Sequence, residues 1–144
     1  MTFRQLTERI YASPQIGLAE VDQAAQSGIG LIINNRPDDE SDDQTPGAAI
    51  AAAAAVAGIG YVAIPVSHAG FSEAQVTAMA TALASTDKPV LAYCRSGTRS
   101  TLLWALAEAS AGKSPHVLAA AAAQAGYDLT PVRALVDMLA AKPQ

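Results

Sequence analysis

Three short apolar runs without charge alternate with segments of helical spacing, and this alternation constrains the fold more than any other feature. The runs are Leu31–Ile33, Tyr61–Ile64 and Val90–Tyr93. Charge-free strands are typical of a parallel sheet buried on both faces, and the segments between them supply the covering helices. We therefore expect an α/β fold whose central, mostly parallel sheet of about 4–5 strands is flanked by helices.

Residues that start and stop helices locate the remaining elements. Ser72, with Gln75 three positions later, forms a capping box, and Thr130 is a suitable cap for the last helix. No internal repeat or linker divides the chain, so residues 1–144 are expected to form a single domain. The other expected elements are two N-terminal strands and five further helices, at Phe3–Leu6, Arg9–Ala12, Leu18–Gln26, Pro46–Ala57, from Ser100 or Thr101 to near Gly112, Pro115–Ala125 and Pro131–Ala141.

The composition limits the partners of the chain. Hydrophobic residues make up 51% of it, which excludes a disordered polymer, yet no apolar stretch is long enough to span a membrane. The first residues lack a signal-peptide pattern, so a cytoplasmic location is expected. A net charge of −4 with nine Lys and Arg argues against nucleic acid. With one cysteine and two histidines, neither a metal site nor a cofactor is expected.

The segment that suggests chemistry follows the last buried strand, from Cys94 to Arg99. Ligands of open α/β sheets bind at the carboxyl ends of the strands. The backbone N–H groups from Arg95 to Arg99 and the next helix N-terminus can form an oxyanion site, for which Gly97 supplies a positive φ. Such a site favours the thiolate of Cys94 as a nucleophile, with Arg99 folded over the bound anion. The alternative is an inert cysteine buried at a strand end.

Two segments resemble known families. Cys94-Arg95-Ser96-Gly97-Thr98-Arg99 resembles the C-R-x-G-x-R active-site loop of rhodanese-type sulfurtransferases, and also the longer loop of cysteine-dependent phosphatases, which holds one residue more. Residues 33–40, followed by Gln44 and Pro46, resemble the N-x-R-P-D-x-E segment of the phosphatase-like domain of beta-lactamase-hydrolase-like proteins. The resemblance extends roughly from Phe3 to Ala111. It implies a dual-specificity-phosphatase-like fold with the active-site loop between a central strand and a helix.

Two reactions suit such a loop. The shorter cradle has a smaller mouth and one N–H fewer, which suits a sulfane sulfur better than a phosphoryl group. Phosphatases also use a general acid, and the loop Pro65–Phe71 contains no carboxylate. We therefore favour a sulfurtransferase that acts through a Cys94 persulfide, from thiosulfate or another sulfane donor to cyanide or a low-molecular-weight thiol. The alternatives are a protein tyrosine or dual-specificity-type phosphatase acting through a Cys94 phosphocysteine, with a phosphorylated substrate, and a non-catalytic sensor of anions or reactive sulfur.

Several further side chains are candidates for binding a small anionic or phosphorylated substrate. A hydroxyl of Thr98 or Ser100 can donate to the sulfur. His68 is either a substitute acid or a solvated loop residue. Arg36 either binds an anion or pairs with a carboxylate of Asp38, Asp39 or Glu40, and the resemblance implies that Arg95 points outward for docking. The full set of substrate-binding candidates is Arg95, Ser96, Gly97, Thr98, Ser100, Arg36 and His68, beside Cys94 and Arg99 as the catalytic pair.

Overall fold

A single sheet organises the chain, in a computed structural model that describes residues 3–67 and 69–142. Among these residues the sheet has five strands in the order β1-β2-β5-β3-β4. The first two pair antiparallel and the other neighbours run parallel, which confirms the expected mostly parallel sheet. The run Tyr61–Ile64 differs from expectation, because its strand lies at the sheet edge and residues 60–63 are exposed or half-buried rather than buried. The strands are β1 Arg4–Gln5, β2 Ile10–Ser13, β3 Leu31–Asn34, β4 Gly60–Ala63 and β5 Val90–Tyr93.

The central strand β5 is aligned with both neighbours so that all three end together. Tyr93 pairs with Ser13 of β2 and with Asn34 of β3. Every residue of β5 is buried, as expected for a parallel strand covered on both faces. The loops that follow these three strands therefore leave the same edge of the sheet side by side.

Two helical layers cover the sheet. On one face, α1 and α2 enclose a core that includes Ile32, Ile50 and Tyr93. On the other face, α3 to α6 enclose a larger core that contains Trp104 of the almost entirely buried helix α4. In the described part of the chain, no helix is long and apolar enough to cross a bilayer. The helices are α1 Leu18–Gln26, α2 Gly47–Val56, α3 Glu73–Ala84, α4 Thr98–Ser110, α5 Pro115–Gln124 and α6 Arg133–Ala141.

The start of α3 agrees with its sequence pattern. Ser72 accepts a hydrogen bond from the backbone N–H of Gln75 at 3.2 Å, and the Gln75 side chain accepts one from the N–H of Ser72 at 2.7 Å. This reciprocal pair confirms the predicted capping box, because each side chain satisfies one N–H that the helix leaves unpaired.

Two helix starts differ from expectation. Helix α4 begins at Thr98 rather than Ser100 or Thr101, because Gly97 with φ +94° turns the chain directly into it. The last helix begins at Arg133, after a 3-10 turn over Thr130–Val132. Thr130 does not cap it: the Thr130 N–H and hydroxyl both donate to Asp128 Oδ1, at 2.9 and 2.6 Å. Val132 occupies the cap position of this helix, two residues after Thr130.

Candidate active site

Cys94 follows the last residue of β5 and is anchored by β2. Its backbone N–H donates to the carbonyl of Ser13 at 3.3 Å, and the carbonyl of Arg95 accepts from the N–H of Gln15 at 3.2 Å. The Cys94 residue has 0% exposure. The first residues of the loop are therefore held at the middle of the sheet edge, with the sulfur at the base of the loop.

The sulfur of Cys94 has polar neighbours rather than a purely apolar setting. The N–H of Gly97 donates to Sγ at 3.1 Å. The hydroxyl of Ser100 is buried and has no hydrogen-bond partner among the described residues. Buried polar hydrogens normally find partners, so an unpaired hydroxyl in this helix turn is unusual. The hydrogen bond to Sγ distinguishes Cys94 from a cysteine with apolar contacts alone.

The remaining hydroxyls of the loop bond to each other. Ser96 Oγ donates to Thr98 Oγ1 at 3.0 Å and accepts from the Thr98 N–H at 3.3 Å. Both side chains are exposed. Of the two hydroxyls predicted to donate to the sulfur, that of Thr98 accepts from Ser96, whereas that of Ser100 is unpaired among the described residues.

Arg99 has one edge of its guanidinium fixed by the protein. Nη1 and Nη2 donate to the two carboxylate oxygens of Glu40 at 2.7 and 2.8 Å, and Nη1 also donates to the carbonyl of Val66 at 2.6 Å. A guanidinium has five N–H donors. The opposite edge, made of Nε–H and the second N–H of Nη2, has no oxygen acceptor among the described residues. Bidentate binding of an oxyanion needs two donors arranged in this way.

The groups around Arg99 favour its protonated form, and one of them is the sulfur of Cys94. The Glu40 hydrogen bonds raise the pKa of Arg99 against the opposing effect of burial, and the nearby Cys94 sulfur adds to the rise. The side chain is 15% exposed. Arg99 therefore brings a positive charge to the sulfur in a partly buried place, where solvent screens it less.

Glu40 also binds Arg36, so one carboxylate serves two arginines. Nε of Arg36 donates to Glu40 Oε1 at 2.8 Å, while its Nη1 and Nη2 reach Gln15 Oε1 at 3.0 Å and Ser41 Oγ at 3.2 Å. Arg36 is only 4% exposed. The ion pair foreseen for Arg36 is present, with Glu40 as its partner. Its role in binding substrate stays a prediction.

The ionisation of Glu40 follows from these contacts. Its hydrogen bond to Arg99, together with that to Arg36, lowers the pKa of Glu40 to about 2, although burial acts in the opposite direction. The carboxylate is therefore ionised at neutral pH and cannot donate a proton to a leaving group. Just before it, Asp39 has φ +65°, a conformation that Asp tolerates, and this turns the chain at Glu40.

The other predicted residues are less closely associated with the sulfur. Arg95 is exposed and lines a cavity of about 230 Å³. His68 lies outside the described residues. The complete lining of the cavity, which also contains Arg36, is Gln15, Arg36, Ser41, Asp43, Gln44 and Arg95.

Two residues at the site are absent from the predicted site residues. Glu40 is the last residue of the N-x-R-P-D-x-E segment and one of three possible partners for Arg36, but its contact with Arg99 was not predicted. Tyr127 donates from its hydroxyl to the carbonyl of Ser96 at 3.1 Å. No local signal marks Tyr127, because 31 residues separate it from its partner.

Comparison with known proteins identifies the family of the chain from its sequence. Residues 2–111 match the model of the beta-lactamase hydrolase-like protein, phosphatase-like domain. The beta-lactamase hydrolase-like protein of Xylella fastidiosa strain Temecula1 is 37% identical over 130 residues, which cover 90% of this chain and 30% of that protein. The chain thus spans less than a third of the length of this curated relative.

Solved structures agree with that assignment. A candidate phosphatase of Neisseria meningitidis Z2491 superposes with a TM-score of 0.84 at 36% identity, over 96% of this chain and 99% of the other. P. aeruginosa TpbA, solved in complex with pTyr, shares the fold with a TM-score of 0.65 at 16% identity, over 96% and 88% of the two chains.

These findings bear on the two reactions expected from the loop. None of them supports the sulfurtransferase that the short loop led us to favour, and the rhodanese-type resemblance is not shown. They favour the phosphatase-like alternative instead, because loop length is one local feature whereas the family match extends over most of the chain. The chain belongs to the phosphatase-like domain family of beta-lactamase hydrolase-like proteins.

Proposed function

We propose that the chain is a cysteine-dependent phosphatase that hydrolyses phosphate monoesters through a phosphocysteine on Cys94. The observation that carries this proposal is the state of Arg99. One edge of its guanidinium is fixed by Glu40, while the other edge has no oxygen acceptor and the Cys94 sulfur lies close by. Two parallel donors beside a nucleophile suit the equatorial oxygens of a phosphoryl group.

The backbone of the loop supports the same chemistry. Helix α4 begins at Thr98, directly after Gly97, whose N–H donates to the sulfur, so the N-terminus of the helix lies at the loop. These donors stabilise an anionic nucleophile before the reaction and the charged oxygens of the transition state during it. The hydroxyl of Ser100, unpaired in the described structure, is available to hydrogen-bond the sulfur when it leaves phosphorus.

The reaction takes two steps. The Cys94 thiolate attacks phosphorus, an S–P bond forms, and the P–O bond to the alcohol breaks as the leaving oxygen takes a proton from the solution. Water then attacks phosphorus, the S–P bond breaks, and inorganic phosphate leaves with the thiolate restored. No oxidant or reductant is needed. Since Cys94 is 0% exposed, the loop side chains must separate to admit the phosphoryl group.

The substrate preference follows from the acid supply. Glu40 is ionised and paired with two arginines, so it does not protonate the leaving oxygen. Esters of acidic alcohols need such help least, and aryl phosphates are therefore expected to react faster than alkyl phosphates. The pTyr bound to the distant neighbour TpbA is a phosphate ester of this kind.

The test measures both candidate reactions on one preparation. p-Nitrophenyl phosphate is incubated with the protein, the reaction is quenched in acid, and the intact mass is measured for a phosphoryl group on Cys94, which is the single cysteine. A parallel sample receives thiosulfate and is examined for a gain of about 32 Da, one sulfur atom in covalent catalysis. Hydrolysis with a transient phosphoryl adduct is expected. A stable sulfur adduct without hydrolysis would overturn the proposal.

A further inference from the structure

Tyr127 reaches the active-site loop from a part of the chain that the family match does not include. It lies between α5 and α6, beyond residues 2–111. Its hydroxyl donates to the carbonyl of Ser96 at 3.1 Å, and its half-buried ring packs against the larger core. The loop that holds the nucleophile is therefore in contact with the C-terminal helices.

The peptide between Ser96 and Gly97 is hydrogen-bonded at both ends. Its carbonyl accepts from Tyr127, while its N–H donates to the sulfur of Cys94 at 3.1 Å. The C=O and N–H of a planar trans peptide point in opposite directions. Holding the carbonyl towards Tyr127 therefore holds the N–H towards the sulfur.

This peptide is also the one in the loop most able to rotate. Gly97 has φ +94°, and glycine occupies positive and negative φ with similar ease. A rotated peptide would direct the Ser96 carbonyl, a hydrogen-bond acceptor, at the sulfur and at any bound oxyanion. A side chain at position 97 would collide with the Tyr127 hydroxyl, so glycine also permits the contact.

The phenol is held in place and stays a donor. The Arg4 guanidinium carbon lies 5.3 Å from the centre of the Tyr127 ring, and Arg4 Nη1 donates to the carbonyl of Ala125 at 3.1 Å. Burial raises the pKa of Tyr127, although Arg4 acts in the opposite direction. The hydroxyl therefore stays protonated at neutral pH.

We propose that Tyr127 is a positioning residue that holds the Ser96–Gly97 peptide with its N–H facing the active-site sulfur. The inference rests on the proposed phosphatase function for its consequence in catalysis, but not for the orientation of the peptide. Tyr127 touches neither substrate nor the reacting atoms. It acts by keeping the Gly97 N–H, rather than the Ser96 carbonyl, directed at the sulfur.

The test compares Tyr127→Phe with a matched control, Tyr61→Phe. Tyr61 is a tyrosine of β4 packed against the other core, where its hydroxyl accepts from Asn34 at 3.0 Å. Tungstate binding is measured by calorimetry, p-nitrophenyl phosphate hydrolysis by kcat and KM, and the Gly97 amide by nitrogen-edited NMR. Loss of one neutral hydrogen bond should weaken tungstate binding and lower kcat by about two- to tenfold in Tyr127→Phe alone.

The outcomes separate this proposal from the proposed function. A Gly97 amide signal that moves in Tyr127→Phe but not in Tyr61→Phe, at similar thermal stability, supports the positioning role even if no hydrolysis occurs. Unchanged tungstate affinity and an unchanged Gly97 signal in Tyr127→Phe would overturn it. Wild-type protein that neither binds tungstate nor hydrolyses the ester would count against the phosphatase, while the NMR signal would still decide the role of Tyr127.

Discussion

The loops after β3 and β5 leave neighbouring strands at one edge of the sheet, yet they contribute in opposite ways. The loop after β5 is short and enters α4 within a few residues of Cys94, and its backbone N–H groups are its main resource. The loop after β3 is long and acidic, and it contributes side chains: the buried Arg36 and the Glu40 that binds Arg99. The first loop holds Cys94, the proposed nucleophile, and the second holds the carboxylate that binds Arg99, so the proposed site needs both loops.

The two loops also supply opposite charges, because Glu40 follows β3 and Arg99 follows β5. Arg99 is bound on one edge by a carboxylate from a different strand, which leaves its other edge available to an anion. A single carboxylate between two guanidiniums is held in place from two sides, and an arginine fixed by it loses less side-chain entropy on binding a ligand. Substitutions in the two loops can test whether the loop after β5 supplies the reacting group and the loop after β3 positions Arg99.

The largest effect is expected from the nucleophile itself. Replacing Cys94 by Ser should lower kcat/KM for p-nitrophenyl phosphate by about a thousandfold or more, because an alcohol is far less ionised than a thiol. Tungstate binding should persist, since the donors of the loop remain. Hydrolysis retained at a tenth of the wild-type rate would show that the loop after β5 does not supply the nucleophile.

The two arginines should respond differently to the same substitution. Arg99→Lys should lower kcat/KM about a hundredfold, because lysine cannot offer two parallel donors to an oxyanion. Arg36→Lys should act mainly on stability, with a loss of about 1–3 kcal/mol in the free energy of unfolding, because it breaks a buried hydrogen-bonded pair. Kinetics and urea unfolding of both variants measure the contrast, and equal catalytic losses would remove the distinction between the loops.

Glu40→Gln should have an intermediate effect on catalysis. Without the carboxylate, Arg99 can leave its bidentate position, and a decrease of about tenfold in kcat/KM is expected. The control is Asp42→Asn, which removes one negative charge from an exposed place in the same loop and should leave kcat/KM unchanged. If both variants behave alike, the overall charge of the loop matters rather than the Glu40–Arg99 pair.

The smallest expected effect is a pH dependence of stability. The contacts with Arg99 and Arg36 lower the pKa of Glu40 to about 2 in the folded chain, against 4.5 for an unperturbed glutamate. Because the folded-state pKa is the lower one, the stabilisation is present above about 4.5 and is lost as the pH falls towards about 2. Thermal unfolding at a series of pH values between about 4.5 and about 2 should show that the melting temperature of the wild type falls with pH. The fall should be smaller in Glu40→Gln. Parallel curves would mean that the Glu40 carboxylate contributes nothing to folding.

Local patterns in the sequence determined most of the elements and the place of Cys94. The charge-free runs Leu31–Ile33 and Val90–Tyr93 indicated strands buried on both faces, and the capping box at Ser72 set the start of α3. Cys94 and Arg99 lie, as predicted, between a buried strand and the first turn of a helix, while their catalytic roles stay a prediction. These predictions succeeded because they depend on periodicity, capping and strand polarity, which act over a few residues.

Only the tertiary structure decided which distant groups meet at the loop. Among the acids of residues 38–43, Glu40 is the one that binds both arginines, since the positive φ of Asp39 turns the chain towards a sheet edge where two strands end together. Tyr127 comes from the C-terminal helices, whose packing brings its hydroxyl to Ser96. Such contacts depend on how layers pack around the core, and no short-range pattern in a chain encodes that packing.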